Sequence, residues 1–453
     1  MPTLPGTVFP ETAPIPLIKG SQRGGIRKTL AVRAFRSVFV ATLSSSAGAW
    51  FSRVALDWMI LELTGSVAAV GLAVTFQFAP TLVLGLWGGV LTDYWPRLRV
   101  LRIANGIILL AAILLATLAQ FGVLSLWVIY AAAALTGLGS AAEVPARSAL
   151  VAQVVPAERL QTAIGINATA FHAAALVCVS ASALVVAVWG AAWALTIAAV
   201  LSLCAAMALT TVRSADIPPT RRSSSDRGGA LLATAAYVWR KPGIRWPMVL
   251  IAFVSTFGMT HNVLYVAAAG STGFGTGPEG YGLYMAVGAF GAMAGALLST
   301  LRRTVTIAGV VTAAILFGLV MAATALTHTV PTFICAVLGA SVLRITFATG
   351  SEALVQLSTN PALRGRVAAL YFVIVAAGQT AGAVLVGSVA QVWGLNSAFA
   401  VAGGMPLLAA CIVMILSARS WHVRVMIDIR SFRRPIRLEP RNQSVVNVAD
   451  APR

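Results

Sequence analysis

A chain of 453 residues in which 58% are hydrophobic and only 10% charged falls far short of the quarter or so of charged residues that a water-soluble globule carries. Its formal net charge of +19 invites nucleic acid as a partner. Yet 30 of the 32 Lys and Arg residues lie in the tails or in short gaps between apolar runs, where anionic headgroups and membrane topology account for them. A lipid bilayer is therefore expected as the partner, and nucleic acid is not.

In chain order, residues 1–36 read as a disordered basic tail: prolines break Met1 to Ile18, and the basic cluster follows that stretch instead of preceding it. No cleavable signal is expected, so the first span must direct insertion. At about 20 apolar residues per crossing, spans follow at 37–60, 67–91, 99–120, 124–147, 161–187 and 191–212, forming one six-helix bundle over 37–212. Residues 213–245, rich in Ser, Pro and Arg, read as a cytoplasmic linker in which Ala230 to Trp239 could form a short surface helix. A second bundle over 246–416 holds spans at 246–269, 280–300, 305–327, 331–357, 365–390 and 394–416. Residues 417–453 form a basic tail, largely without structure, whose Trp421 to Ile436 stretch is loosely amphipathic and suited to the inner leaflet.

The gaps around Arg97/Arg99/Arg102, Arg147/Arg159, Arg213 to Arg245, Arg302/Arg303 and Arg364/Arg366 are basic. Those near Glu62, Gln120, Trp189, Gly275, His328 and Asn396 carry no Lys or Arg. Under the positive-inside rule the basic set is cytoplasmic, which predicts an all-α polytopic protein of twelve spans with both termini inside. Two segments recur at an offset of about 205 residues. Pro156-Ala-Glu-Arg159 aligns with Pro361-Ala-Leu-Arg364, and Gly89 to Asp93 with Gly295 to Ser299. Parallel six-helix repeats imply a pseudo-twofold axis along the membrane normal, with the substrate path between the halves.

Several motifs resemble the major facilitator superfamily. The run Ala79-Pro80 through Gly85, Gly88, Gly89 and Asp93 to Arg97 and Arg99 is similar to its signature after the second helix. Trp50-Phe-Ser-Arg53, Glu143-Val-Pro145-Ala-Arg147 and Leu363-Arg364-Gly365-Arg366 resemble the branch of macrolide and enterobactin exporters. The resemblance implies two halves rocking about a central cavity, usually driven by protons and directed outward. Related drug antiporters carry an Arg in helix four and a Gly-Pro in helix five; here those places read Ala131 to Ala134 and Cys178-Val179.

It also implies a gate. Gly89, Asp93 and Arg97 form the signature at the cytoplasmic end of the second helix, where Asp93 would face the start of helix eleven and Arg97 would pair with Glu143, beside Arg147. Arg302 or Arg303, with Glu352, would be the counterpart in the second half, Ser299 replacing the aspartate. The alternative is that these charges only set topology.

Arg53 and Asp57 stand four residues apart within the first span, where an unpaired charge costs several kcal/mol or so. They form either a static salt bridge or a cavity pair in which Asp57 exchanges protons. His172 and His261, the latter beside Asn262, lie deep in spans five and seven and either couple protons or pack by hydrogen bonding. Arg344, mid-span, has no acid within one turn: it either meets a partner on another helix or attracts an anionic group into the cavity. Gln379 lies in the run Gly378 to Gly387, whose GxxxG favours close helix packing. Trp50, Trp58, Tyr265 and Tyr284 would wall the cavity or belong to an interfacial belt.

Cys178, Cys204, Cys335 and Cys411 sit in apolar runs without metal-ligand spacing and read as buried small hydrophobes. Neither metal nor cofactor is expected. The loops hold no catalytic grouping and no phosphate-binding loop, so an enzyme is not expected either. The expected function is a monomeric, proton-coupled exporter of amphipathic small molecules such as drugs, natural products or siderophore-like compounds, in the bacterial inner membrane. A metabolite importer or facilitator on the same fold and a non-transporting sensor are the alternatives.

Overall fold

A computed structural model describes residues 25–213, 230–271, 276–300, 305–360 and 363–420, with two short strands beyond them. For 25–27, 83–94, 152, 157–162, 164–165, 168–173, 230–233, 300 and 418–420, as for the strands, only the backbone is described. A short α1 (Gly25–Leu30) leads into α2 (Arg33–Thr64), α3 (Val67–Tyr94), α4 (Arg97–Gln120), α5 (Leu126–Val154), α6 (Ala157–Trp189) and α7 (Ala191–Thr210). A surface helix α8 (Ala230–Arg240) precedes α9 (Pro242–Phe253), a π turn (Val254–Gly258) and α10 (His261–Gly270). Then come α11 (Gly277–Thr300), α12 (Ile307–Ala323), α13 (Val330–Ser358) and α14 (Arg364–Ser420). The last is two helices joined at Gly394.

Among the described residues, eight helices are long and apolar enough to cross a membrane. The perimeter is correspondingly apolar, with Leu110 68% and Leu184 63% exposed, a surface that only lipid could cover at low cost. Cys335 is exposed on this perimeter rather than buried, while the other three cysteines are half-buried. A membrane protein reverses the burial rule on its outside, so an apolar residue there need not lie in the core.

Helices α2, α4, α5 and α7 pack with α3 and α6 into one bundle, and α9 to α14 into another. The bundles meet along two seams, α3 against the first part of α14 and α6 against α11, and α10 also touches α2 and α3. Both seams are lined by small residues. A Cβ on Gly71 would strike the Ala383 carbonyl, and one on Gly282 would strike the Ala183 side chain. Backbone approach of this kind is what small residues permit between membrane helices. The GxxxG of α14 is a packing device of the same sort, since Gly378 and Gly382 press on Ser255 and Thr256 of the π turn.

The repeat shows again in the backbone. Gly190 (φ 87, ψ 164) links α6 to α7, and Gly394 (φ 84, ψ 167) makes the same link 204 residues on. A side chain at either φ would be strained. Each glycine follows an exposed tryptophan, Trp189 at 65% and Trp393 at 69%, in a shared Val-Trp-Gly triplet. In the tail, expected to be largely without structure, Val423–Ile427 and Ile436–Pro440 pair antiparallel. Alternation of Val423, Val425 and Ile427 with Arg424 and Met426 suits the two-residue period of a strand.

Candidate functional site

The first helix places a charged pair well inside the apolar slab. At 1.5 Å per residue, Arg53 and Asp57 stand roughly 16 and 10 Å from the Gly65 end of α2. There, lone charges would be costly, and the structure surrounds them with partners drawn from three other helices. Arg53 Nη1 donates to Gln77 Oε1 of α3 at 2.8 Å. With its amide turned to offer Oδ1, Asn262 of α10 accepts from Arg53 Nε at 2.7 Å and also from Nη2. The Phe78 ring lies 5.9 Å from the guanidinium carbon. Asp57 is 4% exposed; its Oδ2 accepts the Tyr281 hydroxyl of α11 at 2.7 Å and lies 3.9 Å from Arg53 Nε.

The pair is therefore more than a local helix staple. Its shortest hydrogen bonds run to other helices, and the one to Asn262 and the one from Tyr281 cross between the bundles. Two more crossings lie alongside: Thr75 Oγ1 donates to the Thr380 carbonyl at 2.9 Å, and the Val67 amide donates to Gln391 Oε1 at 3.0 Å. The bundles are thus laced together toward the Gly65 end. Gln77, Thr75 and Tyr281 went unnoticed in the sequence. Gln77, the polar member of Phe76-Gln77-Phe78, was the available signal; nothing local distinguishes Tyr281, which follows a glycine-rich turn.

Next to this network, His261 stacks edge-on with Tyr265, centroids 5.3 Å apart. Tyr265 and Tyr284 both meet Phe333, which meets Phe399. Both tyrosines are fully buried, in the bundle interior and not at an interface; Trp50 and Trp58 are half-buried. The His261 Nδ1 atom is buried without a hydrogen-bond partner. Arg344 is half-buried on α13 and, with Arg53, acts electrostatically on His261. Gln379 is half-buried on α14.

At the opposite end, Glu143 is paired with Arg147 at 3.1 Å and accepts from Ser45 Oγ at 3.3 Å. Arg97, expected to meet Glu143, instead donates to the Ala149 carbonyl at 3.1 Å. Arg147, one turn on along α5, satisfies the carboxylate locally and leaves Arg97 free for the backbone. Arg102, not singled out in the sequence, donates to the carbonyls of Leu209 and Val212, closing the C-terminal end of α7 where a cation is favoured. Glu352 accepts from Gln356 at 3.5 Å. The side chains of Gly89, Asp93 and His172, and all of Arg302 and Arg303, lie outside the described residues.

Two bundles related by a repeat, joined along two seams and laced at one end around a buried ion pair, form the arrangement that comparison with known proteins identifies. Residues 28–446 match the family described as transmembrane secretion effector, a group of the major facilitator superfamily. The chain belongs to this family. It is a multi-pass membrane transporter and not an enzyme. Similar curated proteins include an enterobactin exporter of Escherichia coli O1:K1, 26% identical over 412 residues, covering 88% of this chain and 93% of that one. A staphyloferrin A transporter of Staphylococcus aureus is 29% identical over 126 residues, covering 28% of this chain and 30% of the relative. Among solved structures, an inward-facing bacterial homologue of ferroportin superposes with TM-score 0.68 at 16% identity, covering 85% and 99% of the two chains. A peptide-transporter-family member superposes at 0.71 with 12% identity, covering 85% and 96%. At those identities the likeness is one of fold.

Proposed function

We propose that this transporter is a proton-coupled exporter of amphipathic small molecules, siderophore-like compounds included, working as a monomer by alternating access in a bacterial inner membrane. Twelve spans with both termini in the cytoplasm fit the charge pattern. The eight apolar helices gain α2, whose hydropathy is depressed by Arg53 and Asp57, and α3 and α6, of which only part is described. Division of α14 at Gly394 supplies the twelfth. Residues 37–212 and 246–416 then form the two rocking halves, with the linker and the basic tails inside.

The network around Asp57 carries the proposal. It ties the halves together by hydrogen bonds from Tyr281 and to Asn262, so a change of charge on Asp57 acts directly on the closed Gly65 end. A proton arriving there removes the ionic half of the Arg53–Asp57 pair. That differential interaction is what a coupling ion must supply to shift a two-state equilibrium. His172 and His261 are the further candidates for proton exchange. Gly89, Asp93 and Arg97, with Glu143 and Arg147, and Arg303 with Glu352, form the gate at the basic end. The relative named as an enterobactin exporter supports an outward direction, and it and the staphyloferrin A transporter support a siderophore-like cargo.

Everted membrane vesicles energised by a pH gradient test the reading with a panel of fluorescent aromatic amphiphiles of either charge. Accumulation that a protonophore abolishes and that Asp57→Asn reduces at least about tenfold is expected. Accumulation indifferent to the protonophore would replace coupled export with facilitated diffusion.

A further inference from the structure

The interior of the second bundle holds a cation that nothing in the described structure neutralises. Two ion pairs occur among the described residues, Arg53 with Asp57 and Arg147 with Glu143, and neither includes Arg344. Glu352 sits on the same helix but eight residues further on, roughly 12 Å along the axis, and is engaged with Gln356. Arg53 and Asp57 cancel, so the net charge that Arg344 brings to this part of the lumen stands uncompensated.

Its neighbours are polar and incompletely used. Tyr265 feels Arg344 electrostatically. The Ser341 hydroxyl, on a residue 2% exposed, approaches the Tyr265 phenol outside hydrogen-bonding geometry and has no partner. His261 Nδ1, on the ring stacked against Tyr265, is likewise buried, the imidazole approaching the Met259 backbone outside hydrogen-bonding geometry. Buried polar atoms almost always find partners. Two orphans beside a half-buried, uncompensated guanidinium therefore mark a place where a ligand's acceptor atoms complete the shell.

We propose that Arg344 is the charge-selecting residue of the transport cavity and that the cargo is an organic anion, held by a carboxylate or similar group against the guanidinium. The proposal rests on the transporter reading and deepens it. A guanidinium presents five N–H donors in a plane that match a carboxylate two at a time. Ser341, and His261 when its Nδ1 carries the proton, supply further donors. A cationic amphiphile would meet Arg344 and Arg53 together, with one carboxylate between them, and would be repelled. The selection thus excludes the cationic compounds that an unspecified multidrug exporter would take.

Equilibrium binding of three fluorescent probes with one ring system tests this on the full-length protein in detergent or nanodiscs: 2-naphthoate, 2-naphthamide and 2-naphthylmethylamine. Wild type should bind the naphthoate at least about tenfold more tightly than the amine, equivalent to about 1.4 kcal/mol or more. Arg344→Gln should reduce the preference to within about twofold with amide binding unchanged, and Arg344→Lys should retain most of it. The Lys variant and amide binding guard against a merely misfolded Gln variant. A wild type that binds the amine as well as the naphthoate, or that binds none of the three, overturns the proposal. So does a preference that survives in Arg344→Gln. The transporter reading is scored separately, by thiol crosslinking of a cysteine pair at Ser66 and Gln391, where the Val67 amide meets Gln391 across the α3–α14 seam, in a background lacking native cysteines. A seam that opens and closes while the probes bind without charge preference sinks the anion site alone; a seam that never opens sinks alternating access.

Discussion

Tyr281 donates the single short hydrogen bond that joins the Asp57 carboxylate to the opposite bundle, so its hydroxyl acts on the equilibrium between states more than on folding. Hydrogen bonds to charged groups contribute about 1.5–3 kcal/mol. Tyr281→Phe removes that contribution where the Gly65 end is closed and changes little where it is open. The expected outcome is a shift toward the open form of roughly ten- to a hundredfold, read by spin-label distances between residues 66 and 391, with thermal stability nearly unchanged. Asp57→Ala behaves differently: it strands Arg53 and costs about 3–5 kcal/mol, visible as a lowered melting temperature. If both variants lower stability equally and neither moves the distances, the contact is structural only. The sequence made Arg53 and Asp57 conspicuous because a charge inside an apolar run needs a reason. Asn262 was visible as a polar residue in a span, but Gln77 and Tyr281 were not, and spacing along the chain carries no trace of how tertiary packing brings three other helices to the pair.

Among the helices, glycines divide into those that another backbone needs and those that nothing touches, and the two kinds respond oppositely to substitution. A Cβ on Gly382 would run into the Thr256 carbonyl, and one on Gly378 into Ser255, both in the π turn between α9 and α10. Gly382→Ala must therefore push α14 off that turn at a cost of about 1–3 kcal/mol. Gly106 of α4 has open space around its would-be Cβ, and Gly106→Ala should stabilise by up to about 1 kcal/mol through helix propensity. Melting curves of the two purified variants check the contrast; equal shifts would mean that the close approach is unimportant. This division was half visible beforehand. The GxxxG announced close packing, and the helix ends fall within about four residues of the apolar runs except that α5 continues to Val154, seven residues past the expected end. The break of the seventh span into α9, a π turn and α10 was not foreseen, because no proline or glycine pair marks it and the turn is set by what α14 presses against it. The tail strands were missed for a related reason: a basic, mixed-polarity stretch supports either a surface helix or a ribbon, and the pairing partner lies nine residues beyond the first strand.

The molecule as a whole repeats one seam twice. Gly71 of α3 against the Ala383 carbonyl of α14, and Gly282 of α11 against the Ala183 methyl of α6, are corresponding glycine contacts in the two seams. In both, one bundle supplies a glycine and the other an alanine. In the proposed rigid-body exchange, closure at the Gly65 end requires both at once, because neither seam can close while the other is wedged. Gly71→Val and Gly282→Val should therefore have matching effects, each biasing the protein toward the form open at that end. Overpacking costs of about 1–3 kcal/mol correspond to roughly a fivefold to hundredfold change in the population ratio. A single cysteine at Thr75, whose hydroxyl meets the Thr380 carbonyl across the seam at 2.9 Å, reports the outcome in a background lacking the four native cysteines. A membrane-impermeant maleimide applied from outside the cell should label it slowly in the parent and at least about fivefold faster in either valine variant, whereas Gly106→Val leaves the rate unchanged. Faster labelling in one valine variant and not in the other would mean that the seams open independently, and a rigid-body exchange between two states would no longer describe this transporter.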